Sequence, residues 1–264
     1  MSSALRAGAG VRTTASPNPW VGAALIADGE VISVGATEPP GGRHAEIVAI
    51  DAAGERARGA TLVVTLEPCC HTGRTGPCTE AIIAAGVRRV VVGVADPDLQ
   101  VSGEGLAALK AAGLEVELGL MGDEVADLLA PYLHHRRTGR PYVVLKMAST
   151  LDGATAMADG SSQWITGEPA REDVHRRRAR AEAILVGAGT VRADDPELTV
   201  RLDGYEGRQP RRLVLGDAPA SAKAQPCESV GGDLGALLDR LGAEGVLELL
   251  VEGGAGVAYA FHRA

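Results

Sequence analysis

His44-Ala45-Glu46, followed by Glu67-Pro68-Cys69-Cys70-His71-Thr72-Gly73-Arg74-Thr75-Gly76-Pro77-Cys78, is the stretch that decides how the first half of this chain is read. One imidazole and two thiols suit a zinc ion that keeps its fourth position open for water. Glu46, two residues from His44, is placed to move that water's protons. Zinc lowers the pKa of a bound water to about 7, so such a site predicts hydrolytic attack on an electron-poor carbon. A purely structural zinc would need a fourth protein ligand, which Cys70 or His71 could supply, but it would not need Glu46. His44 opens a helical pattern, and the Cys69 to Cys78 loop lies between a strand-like and a helix-like run. All three ligands are therefore expected at one edge of a sheet, beside helix N-termini that favour thiolates.

The order H-x-E, then P-C, then a further Cys is the signature of zinc nucleobase deaminases. Simple members space their cysteines as P-C-x-x-C, whereas here a longer loop carries His71 and Arg74 beside the metal. Arg suits phosphate, so this loop is expected to meet an anionic group on the substrate.

Bulk composition agrees with a small-molecule enzyme. The chain has 264 residues, 34 acidic against 26 basic side chains and a formal charge of −8. Non-specific nucleic-acid binding leans on a basic footprint, so an RNA or DNA partner is disfavoured. Three of the four cysteines fall inside the Cys69 to Cys78 loop, poor spacing for a disulfide framework. The first residues lack the apolar core of a signal peptide, and no run approaches a membrane span. A cytoplasmic protein without a membrane partner is expected; the sequence leaves a homo-oligomer open.

Strand-like and helix-like runs alternate, which predicts an α/β fold with sheets covered by helices. Residues 21–26 and 30–34 read as a hairpin around Asp28-Gly29. Helices are expected at 45–53, 79–85, 105–112 and 124–135, with strands at 61–66, 88–95 and 114–118. The polar segment His134-His135-Arg136-Arg137-Thr138-Gly139-Arg140-Pro141 marks a boundary near 138. A second alternating series follows, with strands at 142–148, 184–187, 212–215 and 247–252 and helices at 168–180 and 234–241. Residues 216–232 read as a surface loop. No G-x-G-x-x-G follows a strand in this half. The turns Gly187-Ala188-Gly189-Thr190 and Glu252-Gly253-Gly254-Ala255-Gly256 are the places where backbone N–H groups could approach a pyrophosphate.

The chain resembles the bifunctional deaminase–reductase family of bacterial riboflavin biosynthesis. The resemblance rests on Ser16-Pro17-Asn18-Pro19-Trp20-Val21-Gly22, the two metal segments, Asp96-Pro97, Lys146-Met147-Ala148-Ser149-Thr150-Leu151-Asp152-Gly153, Ser162-Gln163-Trp164-Ile165-Thr166-Gly167, Ala193-Asp194-Asp195-Pro196 and Glu252-Gly253-Gly254. It implies a cytidine-deaminase-like three-layer α/β/α domain over 1–138. A dihydrofolate-reductase-like α/β domain over 139–264 would follow, shorter at its C-terminus than is usual. Thr37 stands where many members have His.

The implied reactions are deamination of 2,5-diamino-6-ribosylamino-4(3H)-pyrimidinone 5′-phosphate, then NADPH-dependent reduction of ribosyl to ribityl; the alternative is a deaminase alone. By motif, His44, Cys69 and Cys78 hold Zn2+, Glu46 is the proton donor, and Asn18 holds the pyrimidine. Ala148, Trp164, Thr190, Asp194, Gly254, Ala255, Gly256, Val257, Ala258, Tyr259 and Ala260 are implied for NADPH. Ser162, Arg178, Leu198, Arg201 and Glu252 are implied for the ribose phosphate. Without the family, Trp164 would read as core, and Arg176, Arg177 and Arg180 as a solvated face.

Overall fold

The computed structural model describes residues 1–71, 76–158, 161–162 and 164–263. The chain divides into two compact units, Met1–Thr138 and Gly139–Ala264. In the first unit the elements run α1 (Ser2–Gly10), α2 (Arg12–Ala15), β1 (Gly22–Ala27), β2 (Glu30–Ala36), α3 (Ala45–Ala53), β3 (Thr61–Leu66), α4 (Cys78–Ala84), β4 (Arg89–Val94), α5 (Glu104–Ala111), β5 (Glu115–Leu118) and α6 (Gly122–Thr138). Their strands form one sheet in the order β2-β1-β3-β4-β5. β1 is antiparallel to β2 and β3, whereas β3, β4 and β5 are parallel.

The hairpin forms where Asp28-Gly29 allows it, both residues taking positive φ. The interior strands β3 and β4 are largely buried and mostly apolar, as strands covered on both faces must be. Gly35 lets α3 approach β2, since a Cβ there would lie 2.2 Å from the carbonyl oxygen of Ala45. That contact seats the helix carrying Glu46. Trp20 fills the core and donates from Nε1 to the Leu128 carbonyl at 2.8 Å, tying the Pro19-Trp20 turn to α6.

The second unit runs β6 (Tyr142–Leu145), α7 (Glu168–Arg180), β7 (Ala183–Gly187), α8 (Ala188–Asp194), β8 (Arg211–Leu215), β9 (Glu228–Val230), α9 (Leu234–Ala243), β10 (Glu248–Val251) and α10 (Ala255–Arg263). Its sheet is parallel throughout, in the order β6-β10-β7-β8-β9. One core cluster gathers Leu185, Leu213, Leu237, Leu241 and Leu249; another gathers Ile184, Val186, Val214 and Leu250. Successive residues of β7 and β10 thus serve opposite faces.

Four local expectations differ from the structure. The strand expected at 142–148 ends, as β6, at Leu145. α6 continues three residues beyond 135, because Arg136 and Arg137 are good helix formers and complement the helix C-terminus. The 216–232 segment contains the short strand β9, which pairs with β8 and adds an edge. The glycine turn after β7 leads straight into α8.

Candidate active sites

In the first unit, His44 is the N-cap residue of α3 and its carbonyl accepts from Val48 N–H. Cys69 follows β3, and Cys78 opens α4. The three side chains converge: His44 Nδ1 lies 3.2 Å from Cys78 Sγ and 3.6 Å from Cys69 Sγ. Their donor atoms all fall within 4.8 Å of one another. A nitrogen and two sulfurs at that spacing fit a tetrahedral zinc ion with one open position. Cys69 Sγ accepts the Cys78 backbone N–H at 3.4 Å, at the N-terminus of α4. Its thiol pKa is held far below the usual range, chiefly by the hydrogen bond from Cys78 and also by that from His44. Cys78 is displaced upward, chiefly because its thiol is the one donating.

Glu46 is buried beside this cluster, in the first turn of α3. Burial raises its carboxyl to about 7, opposed in part by backbone hydrogen bonding and by His44. A carboxyl balanced between its two protonation states suits a group that takes and returns a proton. The cluster opens into a cavity of 380 Å³ lined also by Asn18, His71 and Thr37. Thr37 is buried, accepting Val21 N–H at 3.1 Å, so it ties the Asn18 turn in place. Arg74 lies outside the described residues.

Glu67 supports the site from beneath. Its buried carboxylate accepts N–H bonds from Asp96 at 3.2 Å, Gly103 at 3.1 Å and Leu106 at 3.1 Å. It thereby fixes the segment between β4 and α5. Gly105 permits the approach, since a Cβ there would come within 2.1 Å of the Pro68 carbonyl oxygen. Asp98, Tyr132 and Arg136 also line the cavity, and the sequence reading missed all three. Tyr132 and Arg136 stand four residues apart on α6, the spacing of one helix face.

In the second unit, a cavity of 480 Å³ opens at the carboxyl ends of β6, β10 and β7, where open parallel sheets bind ligands. It brings together Ala148, Ser162, Trp164, Arg178, Thr190, Asp194, Leu198, Arg201 and Glu252. Ser162 Oγ donates to Asp194 Oδ1 at 3.0 Å. Trp164 is no core residue: it is 71% exposed at the rim, with the Arg171 guanidinium 4.6 Å from its ring centre. Arg178 differs from expectation in another way. Its Nε and Nη2 form a paired bond to Glu252 at 2.7 and 3.0 Å, and Nη1 donates to the Thr199 carbonyl at 3.0 Å. A buried carboxylate needs a counter-ion, so the fork expected to hold phosphate holds Glu252.

Gly254, Ala255, Gly256, Val257, Ala258, Tyr259 and Ala260 do not line this cavity. Gly254, Ala255, Gly256 and Tyr259 are exposed, Ala258 is buried, and Val257 packs on the core. Arg171 and His175 do line it, together with Arg178 and on the same face of α7, as i, i+4, i+7 spacing could have disclosed. Burial, then the charges of Arg178 and Arg201, lowers the His175 pKa, and its Nδ1 accepts the Arg201 backbone N–H at 3.2 Å. Lys146, one of three lysines in the chain, approaches Glu252 Oε2 at 3.7 Å.

The model of the cytidine and deoxycytidylate deaminase zinc-binding region matches residues 1–94, and that of the RibD C-terminal domain matches residues 141–264. The riboflavin biosynthesis protein RibD of Corynebacterium ammoniagenes is 46% identical over 271 residues, covering 99% of this chain and 80% of the relative. The chain belongs to the RibD family. A RibD structure from Acinetobacter baumannii superposes with a TM-score of 0.91 at 39% identity, covering 99% of this chain and 82% of that one. A deaminase/reductase structure from Thermotoga maritima gives a TM-score of 0.89 at 37% identity, covering 100% and 82%. As a RibD-family member the protein is a bifunctional enzyme of riboflavin biosynthesis, a zinc-dependent deaminase joined to an NADPH-dependent reductase. No described helix is long and apolar enough to cross a membrane.

Proposed function

We propose that residues 1–138 deaminate 2,5-diamino-6-ribosylamino-4(3H)-pyrimidinone 5′-phosphate and that residues 139–264 reduce the ribosyl group of the product to ribityl. The observation carrying the first assignment is the meeting of His44, Cys69 and Cys78 within 4.8 Å, with Glu46 buried beside them. Those three residues hold zinc, which supplies an activated water when bound. Glu46 takes a proton from the attacking water and returns it to the departing amine. Asn18 orients the pyrimidine, and His71 meets the phosphorylated end. Among the described residues no fourth donor joins the cluster, which favours this over a structural zinc.

In the second site, Ala148, Trp164, Thr190 and Asp194 bind NADPH, joined by backbone N–H groups of the first turn of α10, Gly254 to Val257. Ser162, Leu198 and Arg201 contact the ribose phosphate. Arg178 acts there through Glu252, holding its carboxylate toward the substrate. The four free thiols suit a cytoplasmic location.

Glu46→Gln tests the first assignment. Ammonia release should fall by at least about a hundredfold, the usual size of a general acid–base contribution. Metal analysis should still find one zinc per chain. Retained turnover with zinc bound would refute the proton-transfer role.

A further inference from the structure

We propose that Arg136 is a specificity-determining residue of the deaminase site, binding the 5′-phosphate of the substrate at the mouth of the cavity and oriented for it by Asp98 and Tyr132. This rests on the deaminase reading and adds to it a residue that is neither a metal ligand nor part of the cysteine loop. The cavity wall carries four carboxylates: Glu46, Glu67, Asp96 and Asp98. A dianionic substrate entering such a wall needs cationic compensation. Among the described residues Arg136 is the guanidinium that lines it.

The charges around Arg136 are already arranged for an anion. Glu67 is occupied by three backbone N–H donors. Asp96 accepts the Tyr132 hydroxyl at 3.0 Å and the Asp98 N–H at 2.9 Å. Burial raises the Asp96 pKa, which weakens its opposition to an incoming anion. Asp98 in turn faces Arg136, its Oδ2 lying 3.3 Å from Nε. The Tyr132 ring supports the guanidinium from below, 5.1 Å from centroid to Cζ.

A guanidinium presents two donor edges, one containing Nε and one formed by the two Nη groups. Asp98 engages the Nε side. The edge formed by the Nη pair matches two phosphate oxygens, the bidentate geometry in which Arg surpasses Lys. Holding the planar fork against a ring and a carboxylate lowers the ordering cost of binding.

The test compares deamination of the pyrimidine ribosylamine 5′-phosphate with that of its dephosphorylated riboside, in the full-length zinc-loaded enzyme. For Arg136→Met, which keeps the aliphatic packing on Tyr132, the ratio of kcat/KM for phosphate over riboside should fall at least tenfold, mainly through KM. Arg136→Lys should recover part of that ratio, and the wild-type KM for the phosphate should rise with ionic strength. An unchanged ratio, or equal losses on both substrates, would overturn the assignment, equal losses being the mark of a structural role. A wild-type enzyme inactive on both substrates would instead overturn the deaminase reading on which it rests.

Discussion

Replacing Arg178 by Met should cost about 3 kcal/mol of stability in the unit Gly139–Ala264, whereas Arg177→Met, one position away on the same helix, should cost less than about 0.5. Both arginines pair with a carboxylate, and the difference comes from water. The Arg178 and Glu252 side chains are 10% and 7% exposed, and two parallel N–H bonds join them. Arg177 and Asp173 are about half exposed, so solvent already screens their pair and replaces it when it is lost. Breaking a buried pair leaves one charge uncompensated, at about 3–5 kcal/mol. Lys146 remains 3.7 Å from Glu252 and provides some compensation, which places the expected cost at the lower end. With a urea slope of about 2 kcal/mol/M, the midpoint should move down by about 1.5 M. Trp164 lies in this unit and Trp20 in the other, so fluorescence in a Trp20→Phe background follows the relevant transition. A loss under about 1 kcal/mol for Arg178→Met, or equal losses for both variants, would refute the view that Glu252 depends on a buried partner.

Two further outcomes test the remaining contacts. Gly105→Ala places a methyl group 2.1 Å from the Pro68 carbonyl oxygen and must shift the turn carrying Cys69, so zinc should pass to a chromophoric chelator about ten times faster than from the wild type. Trp164→Leu removes an exposed ring and its Arg171 contact; NADPH titration should show Kd rising about fivefold, equivalent to about 1 kcal/mol, while the unfolding midpoint stays unchanged.

The metal site was legible because its ligands sit in short segments whose spacing is itself the signal. His44 and Glu46 share one helical turn, and Cys69 and Cys78 bracket one loop. Nothing comparable announces Tyr132 and Arg136. Reading 134–141 as a polar boundary ended α6 before Arg136, and only tertiary packing of α6 beside β4 brings that face to the cavity. The short strand β9 was invisible for a related reason: three residues, Glu228–Val230, are too few for a period-two pattern. The pairing of Arg178 within the protein was not legible, because nothing local marks Glu252, 74 residues away, as its partner. The core role of Val257 and Ala258 could have been read. With Phe261 they form an apolar i, i+1, i+4 stripe on α10.

Each unit places a carboxylate immediately after an interior strand of its sheet, Glu67 after Leu66 of β3 and Glu252 after Val251 of β10. Both lie at the carboxyl edge where parallel strands end together and the cavity opens. The two are satisfied by different donors, and that difference separates their roles. Glu67 accepts from three backbone N–H groups, which cannot leave without unfolding the segment between β4 and α5. It is therefore scaffold. Glu252 is balanced by two side chains, Arg178 and Lys146, whose rotamers can adjust when a ligand arrives. A buried carboxylate held by movable cations can exchange part of that pairing for a substrate hydroxyl at modest cost, and one held by backbone cannot. A carboxylate just after an interior strand thus fixes the β4–α5 segment in one unit and offers a responsive polar group in the other.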